Sequence, residues 1–268
     1  MSYSPDSLLE GQINARDLGG IKAFDGAHIA KNRLVRSGEL SKATDRDLLT
    51  LTHIRLKTVV DLRSDPEIAL KPDRLPDGVL TVHCPVVSDL VPGITRESVE
   101  DPYDGLKRAD YAADLKAGGK AKMRSLYPIL VESDNAVRQY RRFFETVLGN
   151  ADGALLFHCA MGKDRAGAAA ALLMYALGVS MQDIMSDYMY TGIRCAEKIR
   201  RDTEACRELT DDDALIQEIF WLNTTDESYL EAMFESCREQ CGSVDRFLEQ
   251  RLGLTPEKLA KLRDQYLE

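Results

Sequence analysis

The stretch that decides the fold is Ala154–Met174, "ALLFHCAMGKDRAGAAAALLM". An apolar run short enough for a buried strand ends at His158 and Cys159, a tight polar loop follows, and an alanine-rich helix begins. Strand, loop and helix in this order form an anion site in α/β proteins, because loop N–H groups and the positive end of the helix converge on one point. Loop composition then selects the chemistry. A nucleotide-binding loop of the type Gly-x-x-x-x-Gly-Lys-Ser/Thr fails twice, since Phe157 stands where the first glycine belongs and Asp164 where the hydroxyl belongs. This loop offers a thiol at its start, Cys159, and a guanidinium at its end, Arg165. Inward N–H groups and the helix dipole favour the thiolate as a nucleophile, and an arginine can hold two phosphate oxygens at once. The spacing Cys-x5-Arg therefore reads as a phosphate cradle, Ala160, Met161, Gly162, Lys163, Asp164 and Arg165, with its own nucleophile.

Outward from this loop the chain alternates strands with helices. "RLVRSG" (33–38), "TVVDLRS" (58–64), "LTVHCPV" (80–86) and "ALLFHC" (154–159) are each the right length for buried strands. Thr44 is placed to cap "DRDLLTLTHI", with Asp47 in the third helical position, and a further helix over 136–148 begins after Ser133 or Asp134. The pattern predicts an α/β fold with a mainly parallel central sheet covered by helices on both faces. From Ser180 onward the chain reads as helical, with Ser180, Ser243 and Thr255 in N-cap positions. No repeat or linker divides it, so residues 1–268 read as one domain, with 180–268 as its helical extension. Residues 90–132 break the alternation with charge, prolines and a Gly-Gly. They read as an insertion, either a lid over the site or a surface excursion without a role.

Composition bounds the partners. Lys and Arg number 35 against 44 Asp and Glu, a net charge of −9, which disfavours nucleic acid and anionic membrane surfaces as partners. Any bound anion must then be captured by a local positive site. The run from Ala166 to Val179 falls short of the roughly 18 to 20 residues a membrane span needs, so it reads as a buried helix and no stable membrane insertion is expected. The first residues carry no basic segment followed by an apolar core, so a cytoplasmic location is the expectation. Six cysteines without a Cys-x-x-Cys pair suggest neither a disulfide scaffold nor a metal ribbon, and no metal or cofactor is required by the chemistry.

His158–Gly167, "HCAMGKDRAG", resembles the signature loop of the cysteine-dependent protein tyrosine phosphatase superfamily, and its Gly-Lys-Asp-Arg core is similar to the atypical bacterial and fungal tyrosine and phosphoinositide phosphatases. "NARDLGG" (14–20) and "RSGEL" followed by "VVDLRS" are similar to the N-terminal motif and first strands of that subfamily, so the resemblance spans roughly residues 12 to 190. It implies a tyrosine-phosphatase-like fold and a two-step hydrolysis through a phosphocysteine on Cys159. The substrate would be a phosphorylated protein, chiefly phosphotyrosine, with phosphoserine, phosphothreonine and phosphoinositides as further candidates. A carboxyl group must protonate the leaving group. The usual Trp-Pro-Asp loop is absent, and Asp89, directly after the third strand, is the preferred acid, with Asp164 as competitor or as the group that orients substrate or water. Lys163 resembles the basic residues that accommodate extra phosphates on inositol rings. His158 would support the cysteine from behind, and Arg16 and Asp17 would tie the N-terminal segment to the cradle. Two departures stand out: Ala166 replaces a hydroxyl residue that helps thiolate departure from the phosphoenzyme, and Ala15 replaces an aromatic.

Two other classes compete with this reading. A catalytically silent module could use the same loop to recognise phosphorylated partners, keeping the cradle but not the acid. A sulfur-transfer loop also places a cysteine at a strand end, yet does not require Arg165 at this spacing.

Overall fold

The computed structural model describes residues 7–87, 94, 116 and 118–268. Its strands are β1 (Arg16–Asp17), β2 (Leu34–Ser37), β3 (Leu56–Asp61), β4 (Leu80–His83) and β5 (Ala154–His158). They form one sheet in the order β1-β2-β5-β3-β4, parallel throughout except for the antiparallel β1–β2 pair. The four strands expected from the sequence are all present. β1 was not anticipated, because two residues carry no readable periodicity.

β5 sits at the centre of this order, and all five of its residues are buried. Its side chains alternate between two cores. Ala154 and Leu156 join Val35, Val59, Leu51 and Ile54 on one face, while Leu155 and Phe157 join Phe143 and the alanine-rich helix on the other. A strand covered on both faces has no polar side to show, which is why "ALLF" reads as a continuous apolar run.

The helices follow in chain order: α1 (Asp45–His53), α2 (Asp65–Leu70), α3 (Gly119–Leu126), α4 (Ile129–Glu132), α5 (Asp134–Gly149), α6 (Arg165–Ala176), α7 (Met181–Cys206), α8 (Asp213–Asn223), α9 (Glu227–Cys241), α10 (Val244–Gln250) and α11 (Pro256–Tyr266). Their starts obey local chemistry. Thr44 accepts from the Asp47 N–H while the Asp47 carboxylate accepts from the Thr44 N–H, closing the expected capping box. Ser133, Ser180, Ser243 and Thr255 cap α5, α7, α10 and α11 through their side chains. Residues of α7 to α11 share one hydrophobic cluster with α6 and the sheet, from Leu18 to Tyr266. No described helix is long and apolar enough to cross a membrane.

Within the expected insertion the structure describes α3 and α4, which lead into α5. Asp89 lies outside the described residues, as does most of the stretch before Gly118.

The Phe157 ring meets Phe143 edge-on, with centroids 5.2 Å apart, in the core beneath the loop. Phe157→Ala is expected to cost about 3–5 kcal/mol by urea unfolding, the usual range for a large aromatic deleted from a close-packed core.

Candidate active site

The parallel register sets Ser37, His158 and Asp61 side by side at the carboxyl ends of β2, β5 and β3, the edge at which open α/β sheets bind ligands. The chain leaves β5 there as Cys159 and re-enters helix at Arg165, with the sulfur-bearing residue only 2% exposed.

The carbonyls of the loop face away from its centre. Ala160 O accepts from the Glu39 N–H (3.1 Å), and Met161 O and Gly162 O accept from the two donors of Asn14 Nδ2 (3.1 and 3.0 Å). Gly162 O also accepts from Arg36 Nη2 at 2.8 Å. Turning a carbonyl outward turns the next amide inward. Among the described residues no hydrogen bond takes up the N–H of Ala160, Gly162, Lys163 or Asp164. Gly162 is obligatory in this path: its φ is +68°, and a Cβ would lie 2.4 Å from Ser37 O.

The tethers are themselves anchored. Arg16 donates from Nε to Asp187 (2.7 Å), from Nη2 to Asp187 O and Thr191, and from Nη1 to both oxygens of Asn14. Arg36 pairs with the other oxygen of Asp187. Burial opposes ionisation of Asp187, but the two guanidinium charges overcome it and hold its carboxyl below the ordinary range. The loop contacts are made by Asn14, and Arg16 orients Asn14 rather than reaching the loop itself. Its strand neighbour Asp17 points the opposite way, and its carboxylate accepts from the N–H groups of Gly19 and Asn32.

Arg165 is fully buried and gripped by Glu67, Nη1 to Oε2 at 2.6 Å and Nη2 to Oε1 at 2.8 Å. Nη1 also reaches Leu62 O (3.5 Å) and Nη2 the Ile94 carbonyl (3.0 Å). Only Nε has no partner among the described residues. Desolvation disfavours this cation, yet the Glu67 hydrogen bonds and the charges of Cys159, Glu67 and Asp164 raise its pKa. The expected two-oxygen grip on phosphate is therefore not preformed, since both terminal nitrogens are already occupied. Glu67 also closes a capping box with Ser64 at the start of α2, which fixes its rotamer.

Lys163 and Asp164 turn to the helical side of the fold. The Lys163 ammonium donates to Leu222 O (2.9 Å) and Thr224 O (3.3 Å) and pairs with Asp164 Oδ1 (2.9 Å). That same oxygen accepts from the Tyr127 hydroxyl (2.7 Å), which in turn meets Tyr188 at 2.5 Å. A free ammonium facing a second phosphate is not what the structure contains, because all three of its protons are spent and the side chain is buried.

Behind the loop lies a second ionic group. His158 Nδ1 faces Cys159 O at 3.2 Å, and Nε2 lies 3.0 Å from Asp73, off the line of a strong hydrogen bond. Arg63 bridges Asp61 (2.7 Å) and Asp73 (2.9 Å). Asp61, Asp73 and His158 are close enough to share a cation, but Arg63 already spans the two carboxylates. Burial works against a charged His158; Asp61 and Asp73 reverse this and raise its pKa, while Asp61 is driven down to about 2 against its own desolvation, first by His158 and then by Arg63.

Four buried cations, Arg16, Arg36, Lys163 and Arg165, thus stand around the loop against three buried carboxylates, Asp187, Glu67 and Asp164. One positive charge is left over before Cys159 is counted, and a thiolate there would balance it within a chain of net charge −9.

A parallel sheet ending in an anion-receptive loop between Cys159 and Arg165 defines a phosphatase fold of the tyrosine-phosphatase type. The sequence pattern of the tyrosine phosphatase family matches residues 8–268, and the chain belongs to that family. It is 32% identical over 256 residues to a Cupriavidus necator protein provisionally named a tyrosine-protein phosphatase, covering 95% of this chain and 85% of that one. It is also 29% identical over 222 residues to the triple specificity protein phosphatase PtpB of Mycobacterium tuberculosis, covering 75% and 78% of the two chains.

Asn14, Arg36, Glu67, Tyr127 and Asp187 were not singled out as site residues from the sequence. Asn14 and Arg36 open the quoted motifs "NARDLGG" and "RSGEL", and two more left a trace there. Ser64-Asp-Pro-Glu67 has the form of a capping box, and Asp187 falls on the buried stripe of α7 between Ile184 and Thr191, where a lone carboxylate requires a cation.

Asp187→Ala should cost about 3–5 kcal/mol in urea unfolding, because it strands two buried guanidinium groups beside each other. The raised pKa of His158 means that its charged form stabilises the fold fully below the ordinary value of 6.5, with loss as pH rises through the folded value. The stability gap between the wild type and His158→Asn should therefore narrow as the pH rises above about 6.5, as followed by urea titrations at increasing pH.

Proposed function

We propose that this protein is a cysteine-dependent phosphomonoester hydrolase acting on phosphotyrosine in proteins. The observation that carries the reading is the set of loop amides, their carbonyls tethered outward, between Cys159 and the buried guanidinium of Arg165. Cys159 Sγ attacks phosphorus as a thiolate, the S–P bond forms, and the P–O bond to the leaving phenol breaks. The phenolate oxygen takes its proton from Asp89, the acid assigned from sequence. Water then attacks the phosphocysteine while giving a proton back to Asp89, breaking S–P to return the thiolate and release inorganic phosphate. The loop amides and Arg165 balance the charge on the equatorial oxygens.

Arg165 presents Nε at once and gains Nη2 when a phosphate oxygen replaces the Ile94 carbonyl; Glu67 keeps the guanidinium plane fixed through the exchange. Asp164 accepts from both Tyr127 and Lys163, an arrangement suited to an ionised carboxylate that orients groups rather than to a proton donor. This supports Asp89 as the acid. The triple-specificity name of the Mycobacterium tuberculosis relative supports a substrate range wider than phosphotyrosine, for which phosphoserine, phosphothreonine and phosphoinositides are the candidates from sequence. Residues 1–268 are taken as one catalytic domain.

One observation favours the silent phosphate-binding module instead: Ala166, buried at the first turn of α6, offers no hydroxyl to the departing sulfur. Turnover decides between the two. Hydrolysis of p-nitrophenyl phosphate should be measurable and abolished in Cys159→Ser, whereas phosphopeptide binding without any turnover would leave only the module. Asp89→Asn should depress turnover most on alkyl phosphates and least on p-nitrophenyl phosphate, since poor leaving groups need the proton; an equal loss on all substrates would remove Asp89 from the acid role.

A further inference from the structure

Lys163 is a charged loop side chain that neither the phosphate cradle nor the leaving-group chemistry uses. It is 1% exposed, and its three ammonium protons meet three oxygens: Leu222 O at 2.9 Å, Thr224 O at 3.3 Å and Asp164 Oδ1 at 2.9 Å. The first two are carbonyls at the carboxyl end of α8, whose C-cap is Thr224. The last carbonyls of a helix lack intrahelical partners and carry the negative end of its dipole, so a buried ammonium there satisfies both deficits at once. Asp164, next in the chain, is held by Lys163 on one side and Tyr127 on the other, and Tyr127 stacks against Tyr229 of α9 with ring centroids 5.5 Å apart.

We propose that Lys163 is a positioning residue: its ammonium latches the catalytic loop to the carboxyl end of α8, fixing the path of the loop and the orientation of Asp164, and does not contact substrate. The proposal rests on the phosphatase reading for its kinetic consequences but not for the latch itself. A buried lysine with a full set of acceptors gains nothing by leaving them for a solvated phosphate, and its departure would strand the two carbonyls and the Asp164 carboxylate in the interior. Phosphoinositide hydrolysis, where it occurs, would then draw its selectivity from groups other than this ammonium.

The test uses the full chain with Lys163→Met, which keeps the volume and removes the donors, and Lys163→Arg, which keeps a donor-bearing cation. Amide hydrogen exchange of the peptide spanning residues 222–226 is the first readout, with emission of Trp221, the only tryptophan, as a second probe one residue from the latch. The expected result is at least about tenfold faster exchange and altered Trp221 emission in Lys163→Met, partly restored in Lys163→Arg, since loss of a fastening hydrogen bond opens the segment locally. With p-nitrophenyl phosphate and with a soluble phosphoinositide headgroup, kcat should fall by a similar factor for both, about 10- to 100-fold, with KM within about twofold. Unchanged exchange at 222–226 would overturn the latch. A rise in KM confined to the phosphoinositide headgroup would overturn the exclusion of substrate contact. Should the wild type turn nothing over, the phosphatase reading fails while the exchange experiment still decides the latch.

Discussion

The structure depends on holding three successive carbonyls, those of Ala160, Met161 and Gly162, away from the space their own amides enclose. Left to itself, a short polar loop between a strand and a helix would satisfy its N–H groups locally or with water. Here the acceptor side is committed elsewhere by Glu39 N–H, Asn14 and Arg36, and the amides have one direction left. Asn14 accomplishes its double donation from a left-handed backbone, φ 66°, which asparagine tolerates better than most residues. The energetic cost of that conformation and of burying Arg16, Arg36 and Asp187 together is met because each donor and acceptor in the group serves another. Such a network is stiff for the same reason that it is costly to break.

The charges divide between two sides of β5. On the far side, Asp61, Asp73, Arg63 and His158 neutralise one another beneath the strand ends. On the near side the groups other than Cys159 leave one cation in excess, which a thiolate at Cys159 would balance. The excess is buried, so salt screens it far less than it would a surface patch. An acidic chain can in this way favour an anion at one point, because the buried cations act within the loop while the net charge disfavours polyanions.

How much of this the sequence disclosed follows from the range of each interaction. β5, the loop and α6 form an uninterrupted local unit, and both its periodicity and its turn chemistry sit within one window of residues. The four main strands and the capped helices were legible for the same reason. β1 was not, because its two residues acquire strand geometry only by pairing with β2. The resemblance pointed to a tie through Arg16, but the partners themselves were out of reach because they lie far apart in the chain: Asn14 to Gly162, Arg16 to Asp187, Arg165 to Glu67. Lys163 shows the limit most clearly. Its place in a phosphate loop suggests a phosphate contact, and only the fold brings the end of α8 within reach of its ammonium.

These long spans also bear on how the chain is made. A ribosome delivers Cys159 and Arg165 well before Asp187, Leu222 and Thr224, so the loop is synthesised ahead of the groups that shape it. Until α7 and α8 have emerged and docked, Arg16 and Arg36 lack their carboxylate and Lys163 lacks its carbonyls. A nascent or truncated chain therefore carries the complete loop sequence without its geometry, which arrives only once α7 and α8 are in place.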